Sequence, residues 1–408
     1  MKILQINNQH YLKGGAHRVY LDTATLLKEN GHEVYFFSLK EEQSIRDENE
    51  VFFPEVIGYR ESNIINKVLS VKSFINNKKA SDSLKEYLKK IKPDVAHVHL
   101  FMGGLTTSIL KVLKDSKIPI VHTVHDYRLI CPSYLFLDGN GKICEKCKNG
   151  RFINCLTNKC SDKSLSQSGV LALDAYYRKY IKSPYKYIDK YIFVSRFIYN
   201  KHNEYQKGIK FKSVVLHNFI SNLEDIKPNN EKGKYFLYLG RLSREKGVDT
   251  LINAAERANV NLKIVGNGPL LERKDTNQNQ NIEFLGFKKG AELWDIVKNA
   301  SFIIIPSEWY ENNPLSIIES YAYGKPVVGS KIGGIPEILK HDKTGYLFNH
   351  GNEAELKEIL LHANSISKDE YKILSKNARD FAENYFNPVK HYKELINIYK
   401  EVINTRKL

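Results

Sequence analysis

No run in this chain approaches the ~20 apolar residues that a membrane-spanning helix needs. The opening "MKILQIN" passes straight into a short apolar alternation with no signal-peptide core, so the cytoplasm is the expected compartment. Cysteine is scarce. There are five in 408 residues, all between Cys131 and Cys160. A full GxGxxG is missing, as is the acidic residue expected at the end of the second strand, which disfavours a nicotinamide fold. Internal repeats and low-complexity tracts are also absent. Acidic residues are short in one half only. Residues 1–220 hold 35 Lys and Arg against 21 Asp and Glu, while residues 221–408 hold 27 against 25. An excess confined to one half fits either plain solubility or an anionic partner: nucleic acid, an anionic membrane surface or a phosphorylated substrate. No nucleic-acid recognition motif accompanies the charge, so nucleic acid is not expected.

What is present reads as two α/β units. A length of 408 residues is too great for one ordinary core. "KILQIN", "EVYFFSL", "DVAHVHL", "IPIVHTVHD" and "KYIFVS" are short apolar strands separated by helix-length amphipathic segments, the pattern of a parallel sheet. The polar "NFISNLEDIKPNNEKGK" reads as an interdomain linker. The alternation restarts with "YFLYLG", "LKIVGNG", "IEFLGF", "SFIIIPS" and "PVVGS". The expected division is an N-terminal domain over 1–217, a linker over 218–233, a C-terminal domain over 234–385 and a final helix over 386–408 that packs back toward the first domain. Two such units make a cleft able to enclose a sizeable ligand.

Several loops carry candidate chemistry. In "YLGRLSREKGVD" a strand ends at Gly240 and delivers Arg241, then Lys246, beside a glycine that permits close backbone approach, which suits a diphosphate. "GNGP", from Gly266, is a second glycine turn after a strand, though such turns are common without any ligand. "KGGAHR", with Gly14 and Gly15, opens a helix whose N-terminus can take an anion. "YENNPLSIIESYAYGKP" places Asn313 as a cap, Pro314 as the first helical residue and a helix to about Tyr323. Leu315, Ile318, Glu319 and Ala322 then share one face, so Glu319 is expected on the inward side, in need of partners. Those partners are ligand hydroxyls or an internal Lys or Arg. Glu311 lies on the loop before the helix and can reach the same ligand.

Together these stretches resemble the glycosyltransferase family 4 C-terminal domain: "LGRLSREKG", "IVGNGP", "FLGF", "PSEWYENNPLSIIESYAYGKPVVGSKIGGIPEIL" and "TGYLF". The first half matches too, through the Gly-Gly loop, "PDVAHVH", "VHTVHDYRLICP", "YIFVSRF" and "VVLHNF". The resemblance implies a GT-B fold, two Rossmann-like domains facing each other across a cleft. It also implies retaining transfer from a nucleotide-diphospho-sugar to a glycan or lipid-linked acceptor in surface polysaccharide synthesis, with no cofactor essential for catalysis. By position, Arg241 and Lys246 would grip the donor diphosphate, Glu319 the ribose hydroxyls and Glu311 the transferred sugar. Gly14 and Gly15 would approach the phosphates and acceptor, and His125 would face the reacting sugar. Gly266, Phe287, Asn312, Asn313 and Leu315 complete the implied donor site. Where many relatives have Glu-Gly-Phe-Gly-Leu this chain has Glu-Asn-Asn-Pro-Leu. Pro314 has no N–H to donate, so Asn312 or Asn313 would supply the lost contact by a side chain. His99 and His122, also at strand ends, read as structural or cleft-lining.

The alternatives are a GT-B nucleotide-sugar epimerase and a non-catalytic nucleotide-sugar scaffold. The first lacks additional acid/base residues in a matching motif, and the second would lose Arg241, Lys246 or Glu319. In the insertion over 131–168, Cys144, Cys147, Cys155 and Cys160 have knuckle-like spacing, with Cys131 apart; a structural zinc is favoured there over disulfides, and four unligated thiols are the alternative. The insertion is expected near the acceptor cleft. "YYRKYIKSPYKYIDKYIF" mixes tyrosine with lysine, as a helix covering the first domain or as a peripheral contact with an anionic membrane.

Overall fold

The structure, a computed structural model, describes residues 1–56, 64–272 and 279–407. The chain divides into two units, residues 1–216 with 389–408, and residues 217–388. In the first, six strands form one parallel sheet: β1 (Lys2–Ile6), β2 (Glu33–Phe37), β3 (Val95–Val98), β4 (Ile120–Val124), β5 (Lys190–Phe193) and β6 (Ser213–Val215). Their order is β2-β1-β3-β4-β5-β6. Ile3 lies opposite both Val34 and Val95. β3 and β4 are buried along their whole length, which accounts for their continuous apolar runs. Helix Lys78–Ile91 begins where the Asn77 side chain accepts the Ala80 N–H at 3.0 Å, and ends at Lys92 in the left-handed region.

The second unit repeats the scheme with β7 (Phe236–Leu239), β8 (Leu262–Val265), β9 (Ile282–Gly286), β10 (Ile303–Ile305), β11 (Val327–Ser330) and β12 (Gly345–Phe348). Its order is β12-β11-β10-β7-β8-β9, all parallel. Two apolar clusters serve this sheet, one with Leu251, Ala255 and Leu356, the other with Ile317, Ile318, Tyr321 and Ile335. Strand order reverses between β1 and β3 in the first sheet and between β10 and β7 in the second. At such reversals the loops leaving the carboxyl ends part and open a crevice.

Residues 218–233 are packed on the second unit. Phe219, Ile220 and Leu223 are buried, and the Ile220 and Asn229 N–H groups donate to Phe386 and Tyr323 carbonyls at 3.1 and 3.0 Å. The last helix, Pro388–Lys407, returns to the first unit. Leu395, Ile396, Ile398, Tyr399 and Val402 complete a core with Ile3, Leu27, Val95, Val121 and Ile192. Leu408 lies outside the described residues.

Candidate functional site

In the second unit, the crevice between β7 and β10 receives the loops carrying Arg241–Lys246 and Ser307–Asn313. The Tyr238 hydroxyl donates to the Arg241 carbonyl at 2.7 Å, and Glu308 N–H to the Glu245 carbonyl at 2.9 Å, so the two loops are tied together. One carboxylate oxygen then collects three donors. Glu311 Oε1 accepts from Lys246 Nζ at 2.7 Å, Ser307 Oγ at 2.7 Å and Trp309 Nε1 at 2.8 Å. The Lys246 ammonium also lies 4.9 Å from the Trp309 ring centroid. Glu311 is 6% exposed. Burial alone would raise its pKa, but the Lys246 charge and the three bonds outweigh it and hold the group below its ordinary value. Beneath it, Gly333 has φ +60°, and a Cβ there would run into the Glu311 backbone.

The two glutamates have exchanged the environments expected from the sequence. The helix is Leu315–Ala322, with Pro314 as its cap instead of its first residue. Ile317, Ile318, Tyr321 and Ala322 take the buried face, and Glu319 and Leu315 are half-buried at its border. Glu311 is the buried carboxylate because the β10 loop folds it under its own Ser307 and Trp309. Asn313 does not cap the helix. Its Oδ1 accepts the Asn218 N–H at 3.0 Å, and its carbonyl accepts the Asn218 side-chain amide at 3.1 Å. That fixes which way the Asn313 amide points. Its buried Nδ2 has no partner among the described residues. Asn312 is also buried.

Arg241 is exposed, and its guanidinium makes no hydrogen bond or ion pair among the described residues. Phe287 is 66% exposed. Gly266, at φ +142°, abuts the Gly240 backbone, so two chain segments passing closely already require a glycine there.

The crevice of the first unit lies between β1 and β3. It opens into a cavity of about 330 Å³ whose walls include Lys13, His17, His99, His125, Asp126 and Arg128. Tyr134, from the insertion after Cys131, closes one side. Gly14 is the N-terminal cap of helix Gly15–Glu29, exposed and with open space around its Cα. His125 is half-buried, and burial lowers its pKa to about 3; His122, buried and bonded to the Val98 carbonyl at 2.9 Å, is lowered by burial to about 4. Both rings are therefore neutral near pH 7. Behind His125 stand His99, Gln5 and His97, none of the last two singled out in the sequence. The signal was the "HVH" alternation, which puts His97 and His99 on one face of a strand. Ser307 and Trp309 were likewise overlooked, although both are donors within four residues of Glu311.

The proposed zinc set does not assemble. Among the described residues no group of three or more His, Cys, Asp and Glu side chains is arranged to hold a metal ion. Cys144, Cys147, Cys155 and Cys160 are free thiols. Cys147 and Cys155 are buried with Phe152, Ala172 and Ala175, against which Cys160 packs. Burial, with the neighbouring thiols, pushes Cys147 up to about 12, so it is a protonated apolar side chain in this small core. Cys131, expected apart, is near enough to Cys147 to help raise its pKa, and its sulfur lies 3.4 Å from Ser133 Oγ.

Two doubly wound sheets, each with a polar crevice at its reversal point, define a GT-B glycosyltransferase. The comparisons agree. The family model described as "Glycosyltransferase Family 4" matches residues 13–222, and "Glycosyl transferases group 1" matches residues 220–381. The chain belongs to these glycosyltransferases. An uncharacterized glycosyltransferase of Methanocaldococcus jannaschii is 30% identical over 48% of this chain and 55% of its own length. A putative colanic acid biosynthesis glycosyltransferase of Escherichia coli is 28% identical over 39% of this chain and 43% of its own. The chain thus spans about half the length of these two relatives. Among solved structures, Anabaena HepE in complex with UDP superposes with TM-score 0.66 at 16% identity, covering 98% of this chain and 100% of that one. No helix among the described residues is long and apolar enough to cross a membrane.

Proposed function

We propose that the chain transfers a sugar from a nucleotide-diphospho-sugar to a glycan or lipid-linked acceptor, with retention of anomeric configuration, in cell-surface polysaccharide synthesis. The observation that carries this reading is the Lys246–Glu311 pair, set by Ser307 and Trp309 at the reversal point of the second sheet, with the unengaged Arg241 in the same loop. The guanidinium and ammonium are suited to the diphosphate. Glu311 takes hydroxyls of the transferred sugar and Glu319 those of the ribose. The buried Asn313 amide supplies the donor that Pro314 lacks. His125 faces the reacting sugar, and Gly14 and Gly15 let phosphates and acceptor approach.

The reaction follows from these charges. The bond between the anomeric carbon and the phosphate oxygen breaks, and its electron pair leaves on the diphosphate, stabilised by Arg241 and Lys246. The acceptor oxygen attacks the oxocarbenium-like carbon from the face of the departing group. Its proton passes to the leaving phosphate, so no protein carboxylate is a nucleophile. The basic first half, with Tyr180 and Ile181 exposed beside Lys179, supports peripheral contact with an anionic membrane at the cytoplasmic face.

A thermal-shift panel of UDP-, GDP- and ADP-sugars tests the donor site. The UDP complex of the Anabaena neighbour makes UDP-sugars the first choice. A binding sugar at 100 times its Kd adds about 2.7 kcal/mol of stability. No response to any of them overturns the donor assignment. Wild-type turnover in a chain carrying both Arg241→Ala and Lys246→Ala overturns the mechanism.

A further inference from the structure

The cavity of the first unit holds a cation that the protein does not neutralise. Arg128 is half-buried in its wall. Its backbone is clamped on both sides. The Arg128 N–H donates to Asp126 Oδ1 at 2.9 Å, and the Arg128 carbonyl accepts from Arg178 Nη1 at 2.9 Å. Arg178 is itself fixed by a 2.8 Å ion pair with Asp174, buried on both sides. The Arg128 side chain is held as firmly. Its Nη1 donates to the Met102 carbonyl at 3.2 Å, and the guanidinium carbon lies 4.6 Å from the centroid of the Tyr134 ring. Gly103, at φ +76°, leaves room for it, since a Cβ there would come within 2.9 Å of Nη1.

None of these contacts supplies a negative charge. Among the described residues Nε and Nη2 have no acceptor, and Nε is buried without one. A cation taken part-way out of water is costly until an anion completes it, and Nη2 is the donor left for a ligand. Asp126 is the one acidic residue among the described walls, and it makes no ion pair with the guanidinium. Lys13 stands exposed in the same wall, without an ion pair among the described residues. Burial, with the Lys13 charge, lowers His17 to about 4, and burial likewise keeps His99, His122 and His125 neutral near pH 7. The cavity thus sets two cations against one carboxylate, in a volume of about 330 Å³ that falls within the usual size of ligand pockets.

We propose that this cavity binds an oxyanion carried by the acceptor, a phosphate or a carboxylate, and that Arg128 is the residue that reads its charge. This rests on the reading that the acceptor enters the first unit. It narrows the acceptor from any glycan or lipid-linked sugar to one that is negatively charged at this position. Through Tyr134 it also gives the insertion after Cys131 a part in that selection.

The test is calorimetric titration of the full chain with inorganic phosphate, glucuronate and neutral methyl glucoside at constant ionic strength. The chain carries Arg241→Ala and Lys246→Ala, so that the donor grip of the second unit does not contribute. Phosphate or glucuronate is expected to bind, and methyl glucoside is not. Adding Arg128→Met is expected to weaken the anion roughly tenfold to a hundredfold, the worth of a hydrogen bond to a charged group. Phosphate as the tighter ligand marks a phosphate-bearing acceptor, and glucuronate as the tighter ligand marks an acidic sugar. Arg128→Lys keeps the charge but loses the planar stack on Tyr134. It is expected to bind with intermediate strength, and it carries the test if Arg128→Met does not fold. No anion binding overturns the proposal, as does methyl glucoside binding equally well or anion binding that neither substitution weakens. In a chain with Arg241 and Lys246 intact, Arg128→Met is expected to leave UDP affinity unchanged. A loss of UDP affinity as large as that for the anion assigns Arg128 to the donor and overturns the proposal too. Anion binding is read without the donor grip, so its failure is distinct from failure of the donor-site reading.

Discussion

Glu311 shows how little of a residue's role is set by its own type. It is a carboxylate on a loop, buried because three donors from its own neighbourhood converge on one oxygen. Removing the cation by Lys246→Ala strands that charge. For a fully buried pair the cost is about 3–5 kcal/mol; with Lys246 a quarter exposed, about 2 kcal/mol is expected, measured by urea denaturation. Adding Glu311→Gln to that variant should recover much of the loss. The folded pKa of Glu311 lies below its ordinary 4.5, so its stabilisation is present above pH 4.5 and is lost as pH falls through the folded value. A Glu311→Gln chain should therefore show a flatter acid limb than wild type. The sequence made the E-x7-E pair visible but reversed the two environments. Helical spacing alone assigned Glu319 to the inward face, whereas the helix starts one residue later and buries Ile317, Ile318, Tyr321 and Ala322. Burial of Glu311 depends on a loop folding on itself, which no periodicity records.

At the scale of elements, the strands were legible because apolar runs of β-branched and aromatic residues leave few alternatives. "FIIIP" and "IPIVHTV" could hardly be exposed. The cysteines were less so. Spacing suggested a knuckle, but Cys147 and Cys155 serve as apolar filling between a short helix, Ile153–Thr157, and helix Leu165–Tyr180. The turn after β11 has a role beyond connection, since Gly333 lets it lie directly on the Glu311 backbone. Gly333→Ala combines a positive φ with that close approach. It should destabilise the second unit by more than about 1 kcal/mol and weaken nucleotide-sugar binding, with thermal shift and titration calorimetry as the checks. The C-terminal helix can be tested the same way. Its five core side chains are each worth about 1.5–3 kcal/mol, an upper estimate. That sum is comparable with the whole stability of a domain. A chain ending at Asn387 should keep a folded second unit and lose the first, as limited proteolysis would show.

For the molecule as a whole, the buried histidines set a difference between the units. The first buries His10, His17, His97, His99, His122 and His202, and half-buries His32, His125 and His391. The second has His217, His341, His350 and His362, and buries none of them. For His122 and His125 the folded pKa values, about 4 and about 3, lie below the ordinary 6.5. The unfolded chain therefore binds more protons below pH 6.5. Their stabilisation is complete above 6.5 and drains away as pH falls toward those folded values, at about 1.4 kcal/mol per pH unit for each ring. Hydrogen exchange followed by mass spectrometry from pH 7 to pH 5 should show protection falling first in peptides of the first unit. The order of synthesis adds a further consequence. Residues 389–408 are made after the second unit, yet the first unit's core is incomplete without them. At ~5–20 residues per second, the ribosome needs roughly ten to thirty seconds to make residues 217–388. During that time the first unit's sheet waits without the helix that completes its core, while the unit encoded after it is made in full. Of the two units, the one that begins to emerge before the other is completed after it.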